Sequence, residues 1–351
     1  MNDAGAIRQG DPGGMSRHLE SFPAHLRDAQ DIGRRAEISV SAEGVSAVVV
    51  LGMGGSAIGG DLASGLLAGE LRVPLAVNRG YDVPAYVGPD TLVFVSSYSG
   101  NTEETLSAYE AARARRARIV CATTGGEVAR LAAELGHDRV TIPGGLPPRA
   151  ALAYGLVPTL VVLARLGLTG GVDERLDDAV SVAEDNVRLM GLDVPLERNP
   201  AKQLAAWFRT GIPVIYGTVP LTGVVATRWA GQISENSKTV AHVNVLPEMN
   251  HNEIVGWSGP RALAGEGRVV FLRDEGDHAR VAHRIAFTRD EIARTGAQVR
   301  EVESRGATGL GRMISLVGTG DFASLYLATL NGVDPTPVEP IDRLKRTLAE
   351  L

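Results

Sequence analysis

The run from Val45 to Leu51 is almost continuously apolar and leads directly into Gly52-Met53-Gly54-Gly55-Ser56-Ala57-Ile58-Gly59-Gly60-Asp61. A strand that is apolar on both faces needs cover on both faces. It therefore belongs in a parallel sheet between helices, and a glycine-rich turn into a helix is the opening unit of such a sheet. The pattern recurs: Leu75-Ala76-Val77, Thr91-Leu92-Val93-Phe94-Val95, Ile119-Val120-Cys121-Ala122-Thr123 and Arg139-Val140-Thr141-Ile142 read as further strands separated by helical patterns. Alternation at this spacing calls for right-handed crossovers and a mostly parallel α/β domain.

A second series follows, with strands expected at Pro213-Val214-Ile215-Tyr216-Gly217, Val243-Asn244-Val245-Leu246, Arg268-Val269-Val270-Phe271-Leu272 and Gln298-Val299-Arg300-Glu301-Val302. The chain thus reads as two α/β halves of similar design. Their boundary lies between Leu166 and Asn199, where Thr169-Gly170-Gly171 breaks the pattern and Asp173 to Met190 reads as a polar-faced connecting helix. Upstream, Met1 to Gly14 is polar and glycine-bearing and reads as a disordered or loosely attached leader. Apolar spacing at Leu19, Phe22, Leu26 and Ile32 predicts a helix from Met15 to Ala36. At the other end a helix is expected from Pro340, with Ile341, Leu344, Leu348 and Leu351 as its buried stripe and Lys345 bordering it.

At 351 residues the chain allows two or three domains, each long enough for its own core. A net charge of −6 argues against nucleic acid or an anionic membrane as the main partner, yet leaves room for one locally bound phosphate. Cys121 is the only cysteine, so an intrachain disulfide is impossible, which fits a reducing cytoplasm. No apolar run approaches a membrane span and no signal-peptide core is present, so no membrane partner is expected.

Ser96-Ser97-Tyr98-Ser99-Gly100-Asn101-Thr102-Glu103-Glu104-Thr105 forms a strand-to-helix turn rich in hydroxyls. In an open α/β sheet such turns lie where ligands bind. The first N–H groups of the helix lack internal partners and the dipole there is positive, so hydroxyls from Ser97, Ser99 and Thr102 would complete a site for a phosphate monoester. The plainer alternative is Asn101 as helix cap with Glu104 closing a capping box. Gly52, Gly54 and Gly55 also invite a dinucleotide reading. However, Ala57 stands at the third glycine position, and Asp82 lies too far beyond the second strand to hold a ribose. A backbone cradle from Gly54, Gly55 and Ser56 for a sugar phosphate is the better use of that turn.

In the second half, Arg228 to Lys238 reads as a helix with Val225, Trp229 and Ile233 as its buried stripe. Glu235 sits off that stripe near the helix C-terminus, where the dipole disfavours a carboxylate. It is either a functional acid or an exposed one paired with Lys238. His251 lies in the polar loop Asn250-His251-Asn252-Glu253, and Lys345 either snorkels at the core rim or reaches over its stripe toward a pocket.

Together these stretches resemble the archaeal and bacterial bifunctional phosphoglucose/phosphomannose isomerases of the SIS superfamily. The resemblance runs from about Asp11 to the C-terminus. It is carried by Gly-Met-Gly-Gly-Ser at 52–56, Ser-Tyr-Ser-Gly-Asn-Thr at 97–102, Pro-Arg-Ala-Ala-Leu at 148–152, Glu-Asn-Ser-Lys at 235–238, Asn-His-Asn-Glu at 250–253 and Leu-Lys at 344–345. It implies two SIS-type subdomains, each a mostly parallel sheet covered on both faces by helices. The expected divisions are a leader and helix at 1–36, the first subdomain with the phosphosugar loop at 37–168, a connecting helix at 169–199 and the second subdomain at 200–351.

The implied activity is interconversion of glucose 6-phosphate and mannose 6-phosphate with fructose 6-phosphate. By resemblance Ser97, Ser99 and Thr102 hold the phosphate, and Gly54, Gly55 and Ser56 line the sugar. Glu235 carries the proton between C1 and C2, Arg149 faces the enediolate, and His251 with Lys345 opens the ring. The family also implies a homodimer in which the histidine comes from the neighbouring subunit. These residue types are those that enediolate chemistry needs, so no cofactor and no metal is expected. The seven histidines form no HxH or HExxH pattern. Thr336, near the C-terminal helix, is a candidate to accommodate either C2 epimer, and rival readings are a sugar-phosphate sensor, an isomerase of another sugar phosphate such as a pentose or heptulose phosphate, and an amidotransferase-like transferase. The last lacks its nucleophile in a chain that opens Met1-Asn2.

Overall fold

In the computed structural model, which describes residues 1–348 and 350, two parallel sheets flank a shared layer of helices. The first half comprises α1 (Ala4–Gln9), α2 (Met15–Glu20), α3 (Phe22–Arg35), β1 (Ala47–Leu51), α4 (Gly54–Leu67), β2 (Leu75–Asn78), β3 (Thr91–Ser97), α5 (Glu103–Ala114), β4 (Arg118–Thr123), α6 (Gly126–Leu135) and β5 (Asp138–Thr141). A short 3-10 turn at Pro148–Ala150 then leads to α7 (Leu152–Arg165), and α8 (Val172–Met190) crosses to the second half. That half holds α9 (Pro200–Phe208), β6 (Ile212–Thr218), α10 (Thr222–Ser237), β7 (His242–Leu246), a 3-10 turn at Glu248–His251, α11 (Glu253–Gly256) and α12 (Arg261–Ala264). It ends with β8 (Gly267–Arg273), α13 (Ala279–Arg294), β9 (Gln298–Glu303), α14 (Gly309–Asn331) and α15 (Glu339–Leu348).

The first sheet has the order β2-β1-β3-β4-β5 and the second β7-β6-β8-β9, with every neighbouring pair parallel. Alternate residues of each central strand enter different cores, as period-two side chains must. Val48, Val50, Leu92 and Phe94 face the shared helical layer, while Val49, Leu51, Val93 and Val95 face α5 and α6. In the second sheet Ile215 and Val270 face the shared layer, and Val214, Tyr216, Val269 and Phe271 pack on α13. The α/β architecture is as expected. The chain builds outward in opposite directions from β1 and β3, which opens a crevice at their carboxyl ends.

Four local expectations need correction. The leader is ordered: Asp3 caps α1, Ile7 is buried, and the buried Asp11 carboxylate accepts from the N–H groups of Met15 (2.8 Å) and Ser16 (2.7 Å). Burying Ile7 alone contributes about 1.5–3 kcal/mol, which offsets the ordering of a polar segment. The helix expected over Met15–Ala36 breaks at Ser21, because Pro23 has no N–H to continue it and instead occupies the first turn of α3. Asn101 does not cap the helix that follows it, because its side chain bonds to α6 instead. Finally, no residue of α15 is buried: Ile341, Leu344 and Leu348 stay exposed and Lys345 borders no core. Leu351, the last member of that stripe, lies outside the described residues.

α14 is the centre of the second half. Among the described residues it is the one helix long and apolar enough to cross a membrane by composition, and it is mostly buried against α8, α9 and α10.

Candidate active site

The crevice between β1 and β3 is lined by the turns that precede α4 and α5. Gly54 takes φ +48°, a conformation open to glycine at little cost. Gly55 is packed so closely on the Pro148 turn that a Cβ would lie 2.5 Å from the Pro148 carbonyl oxygen. Ser56 Oγ accepts from the N–H of Tyr98 (3.2 Å), which joins the glycine-rich turn to the hydroxyl loop. Tyr98 also accepts the Leu146 N–H at its hydroxyl (2.9 Å). Tyr98 therefore fastens the hydroxyl loop to the segment that carries Arg149.

Within that loop Ser97 Oγ donates to Thr102 Oγ1 (3.3 Å), Ser99 Oγ accepts from the Asn101 N–H (3.2 Å), and Gly100 turns the chain at φ +70°. Thr102 is the cap residue of α5 but makes no side-chain cap bond. Asn101 instead points to the neighbouring helix, where its Oδ1 accepts from the Glu127 N–H (2.9 Å). The helix start of α5 thus has no side-chain cap, and neither has that of α4. Two such N-termini beside Ser97, Ser99 and Thr102 suit a dianionic group.

Arg149 stands at the far side of Gly55. It is buried, and Nε donates to Asn236 Oδ1 (2.6 Å) while NH2 donates to the carbonyl oxygens of Pro335 (2.6 Å) and Thr336 (2.9 Å). NH1 meets only Glu235 Oε2, at 3.4 Å. Burial draws the guanidinium below the usual arginine range, against the opposing charges of Glu235 and Asp334. It remains a cation at neutral pH. The alternative pairing of the Glu235 carboxylate with Lys238 is not formed. Lys238 Nζ donates to the Glu235 backbone oxygen (2.7 Å), and the carboxylate is left to Arg149 with a third of its side chain exposed.

One cluster therefore unites Gly54, Gly55, Ser56, Ser97, Ser99 and Thr102 with Arg149 and Glu235. His251 and Lys345 are not in it. Both are exposed, and among the described residues neither makes a side-chain hydrogen bond or ion pair. A separate cavity of about 1170 Å³ at the β5 edge shares no residue with the cluster. Of its four arginines, Arg34 is engaged by Asp173 (2.7 Å) and Arg165 by the carbonyls of Gly33 and Ala36.

Comparison with known proteins gives the family and the fold. The family model for the bacterial phospho-glucose isomerase C-terminal SIS domain matches residues 197–348. A bifunctional phosphoglucose/phosphomannose isomerase from Caldicellulosiruptor bescii is 45% identical over 337 residues, covering 96% of this chain and 99% of that one. One from Aquifex aeolicus is 38% identical over 303 residues, covering 86% and 90%. The chain belongs to the bifunctional phosphoglucose/phosphomannose isomerase family. Solved structures share the fold: a glucose-6-phosphate isomerase like protein from Thermus thermophilus has a TM-score of 0.64 at 21% identity, covering 95% of this chain and 96% of that one. The C-terminal domain of glucosamine-fructose-6-phosphate aminotransferase from Francisella tularensis has a TM-score of 0.70 at 15% identity, covering 92% and 98%.

Several groups around the site of this phosphoglucose/phosphomannose isomerase family member escaped the reading of its sequence. Asp321 of α14 accepts from Arg228 and Gln232 of α10, and Arg228 NH2 also donates to the Arg149 carbonyl oxygen (3.1 Å). The Pro335–Thr336 strap anchors Arg149 through backbone oxygens, a role that the sequence did not announce although it singled out Thr336. The contact between Gly13 and Thr336, where even a Cβ would collide, brings the N-terminal turn against the same strap.

Proposed function

We propose that this protein interconverts glucose 6-phosphate, and also mannose 6-phosphate, with fructose 6-phosphate, by ring opening and a cis-enediolate proton transfer. The observation that carries the proposal is the continuity of an uncapped, hydroxyl-lined helix start with a buried arginine facing a partly exposed glutamate. A phosphate bound by Ser97, Ser99 and Thr102 leaves the sugar to run past Gly54, Gly55 and Ser56 toward Glu235. The Glu235 carboxylate takes the proton from C2 of the open aldose. Arg149 faces the charge that develops on the enediolate oxygens, and its NH1 edge is the one its other partners leave least occupied. Glu235 then returns the proton to C1 while the proton on O2 passes to O1, giving the ketose. No step in this sequence calls on a metal or a cofactor.

Ring opening needs a separate acid and base at the ring oxygen and at O1. In this proposal His251 and Lys345 supply them, with His251 reaching the site of a second subunit in a homodimer. The exposed stripe Ile341, Leu344 and Leu348 on the helix that bears Lys345 supports an intersubunit location.

The test is formation of fructose 6-phosphate from each aldose phosphate with EDTA present, for the wild type and Glu235→Gln. Turnover of both sugars that is lost in the variant is expected. Binding of both without turnover would favour a sensor, and turnover of another sugar phosphate alone would change the substrate.

A further inference from the structure

The loop that carries His251 has an unusual distribution of contacts. Met249 is buried in the core beneath the second sheet. Asn250 Nδ2 donates to Thr288 Oγ1 of α13 (2.7 Å). Asn252 Nδ2 donates to Glu248 Oε1 (3.1 Å), and its Oδ1 accepts from the Glu253 N–H (2.6 Å). Glu253 is tied to the sheet: Oε1 accepts from the Tyr216 hydroxyl and from His242 Nε2 (2.8 Å), and Oε2 accepts from Asn244 Nδ2. The Tyr216 hydroxyl in turn accepts from Trp257 Nε1 (2.9 Å). From residue 249 to 253, His251 alone has no side-chain partner among the described residues, and it is exposed to solvent.

We infer that Glu253 is a positioning residue for His251, locking the loop to β6 and β7 so that the imidazole is presented in one orientation. The inference rests on the proposed role of His251 in ring opening. A carboxylate suits the task because one side chain accepts from three donors on two strands, and charge-assisted bonds are the strong ones. Burial pushes the Glu253 carboxyl upward, but the bonds from Asn244, Tyr216 and His242 outweigh it and hold the group below the usual glutamate range. Tyr216 is fully buried, so the anchor is fixed to the sheet and not to another loop. The backbone on either side of His251 is thereby held, by Asn250 before it and by Glu253 after it.

A double-mutant cycle tests this, with kcat and KM for glucose 6-phosphate measured in the wild type, Glu253→Gln, His251→Ala and the double variant. Glu253→Gln is expected to lower kcat about 10- to 100-fold with KM nearly unchanged, the effect of a slightly misplaced catalytic group. In the His251→Ala background the same change should cost less than about 2-fold, because the group being positioned is gone. Asn244→Ala, which removes one donor and keeps the carboxylate, should show the same coupling with a smaller loss. That variant keeps the test open if Glu253→Gln folds poorly. Equal losses in both backgrounds, or no loss from Glu253→Gln, would overturn the inference while leaving the role of His251 intact. If His251→Ala itself left turnover unchanged, the role of His251 and the inference would fall together.

Discussion

Asp321 and Arg228 form a buried pair, with Arg228 Nε at 3.1 Å and NH2 at 2.6 Å from the two carboxylate oxygens. Asp321 also accepts from Gln232 (2.9 Å), and Arg228 also donates to the Arg149 carbonyl oxygen, so the pair joins α14, α10 and the turn that carries the candidate enediolate arginine. Removing one partner of such a pair leaves a buried charge unmatched. Asp321→Ala is expected to cost about 3–5 kcal/mol in denaturant unfolding. The double variant Arg228→Met/Asp321→Leu should recover most of that stability. Activity should not return with it, because the Arg149 carbonyl loses its donor. A double variant no more stable than Asp321→Ala would refute this account.

Glu235→Gln keeps the shape of the side chain and removes the base. The expected result is a fall in kcat of about 10²- to 10⁴-fold, with KM for either sugar phosphate changed little. Exchange of the C2 proton with solvent deuterium should fall in step with turnover. Exchange that survived the substitution would assign the proton to another group.

The phosphate reading separates binding from chemistry. Ser97→Ala and Thr102→Ala should each raise KM by about 10- to 100-fold, the range for one hydrogen bond to a charged group. Inorganic phosphate should compete with substrate, and less well in either variant. Unchanged competition would place the phosphate elsewhere.

Both sheets were legible in the sequence because nine strand patterns alternate with helical ones, and the central strands β1, β3 and β8, buried on both faces, form conspicuous apolar runs. α14 was not. It is apolar around most of its circumference, so it shows no stripe to betray a period. The leader misled for the opposite reason: its composition is polar, and what ties it down is a few scattered contacts, the buried Ile7, the Asp11 cap and the Asn2 side chain that accepts from the Leu196 N–H (2.7 Å). In the site, residues bound by short motifs were readable, and the Ser97–Thr102 loop does meet the glycine-rich turn through Tyr98 and Ser56. The Arg228–Asp321 pair was not readable, since its partners lie far apart in sequence and ordinary residue types gave no local signal. The stripe of Ile341, Leu344 and Leu348 on α15 has helical spacing, but the burial read from it is absent among the described residues.

Gly54 and Gly55 offer a contrast that tests the close approach of α4 to the Arg149 turn. A side chain at Gly54 would meet open space but would sit at φ +48°, costing about 1–2 kcal/mol of backbone strain. At Gly55 the φ angle is an ordinary one, but a Cβ would lie 2.5 Å from the Pro148 carbonyl oxygen and 3.3 Å from the Arg149 nitrogen. Gly55→Ala must therefore push the Arg149 turn away. The expected loss for Gly55→Ala is in kcat as well as KM. Gly54→Ala should lose mainly thermal stability. Equal kcat values for the two variants would show that the turn tolerates the displacement.

Three histidines predict how stability follows pH. His18, His25 and His137 are each held below the ordinary histidine value of 6.5, with burial the first cause in every case. His25 adds the nearby His18 as a second cause, and its Nδ1 is buried without a partner while its ring lies 5.6 Å from that of Tyr154. The unfolded chain takes up these protons first as pH falls through 6.5, so between the unfolded and folded values it binds more protons than the native state. Stability is therefore fully present above 6.5 and is lost as pH falls toward the folded values. The melting temperature should fall between about pH 7.5 and about pH 5.5, before the carboxylates titrate, and His25→Phe should flatten that slope while keeping a ring against Tyr154. A melting temperature that rose on acidification across this window would show that these imidazoles gain protons more readily in the folded protein than out of it.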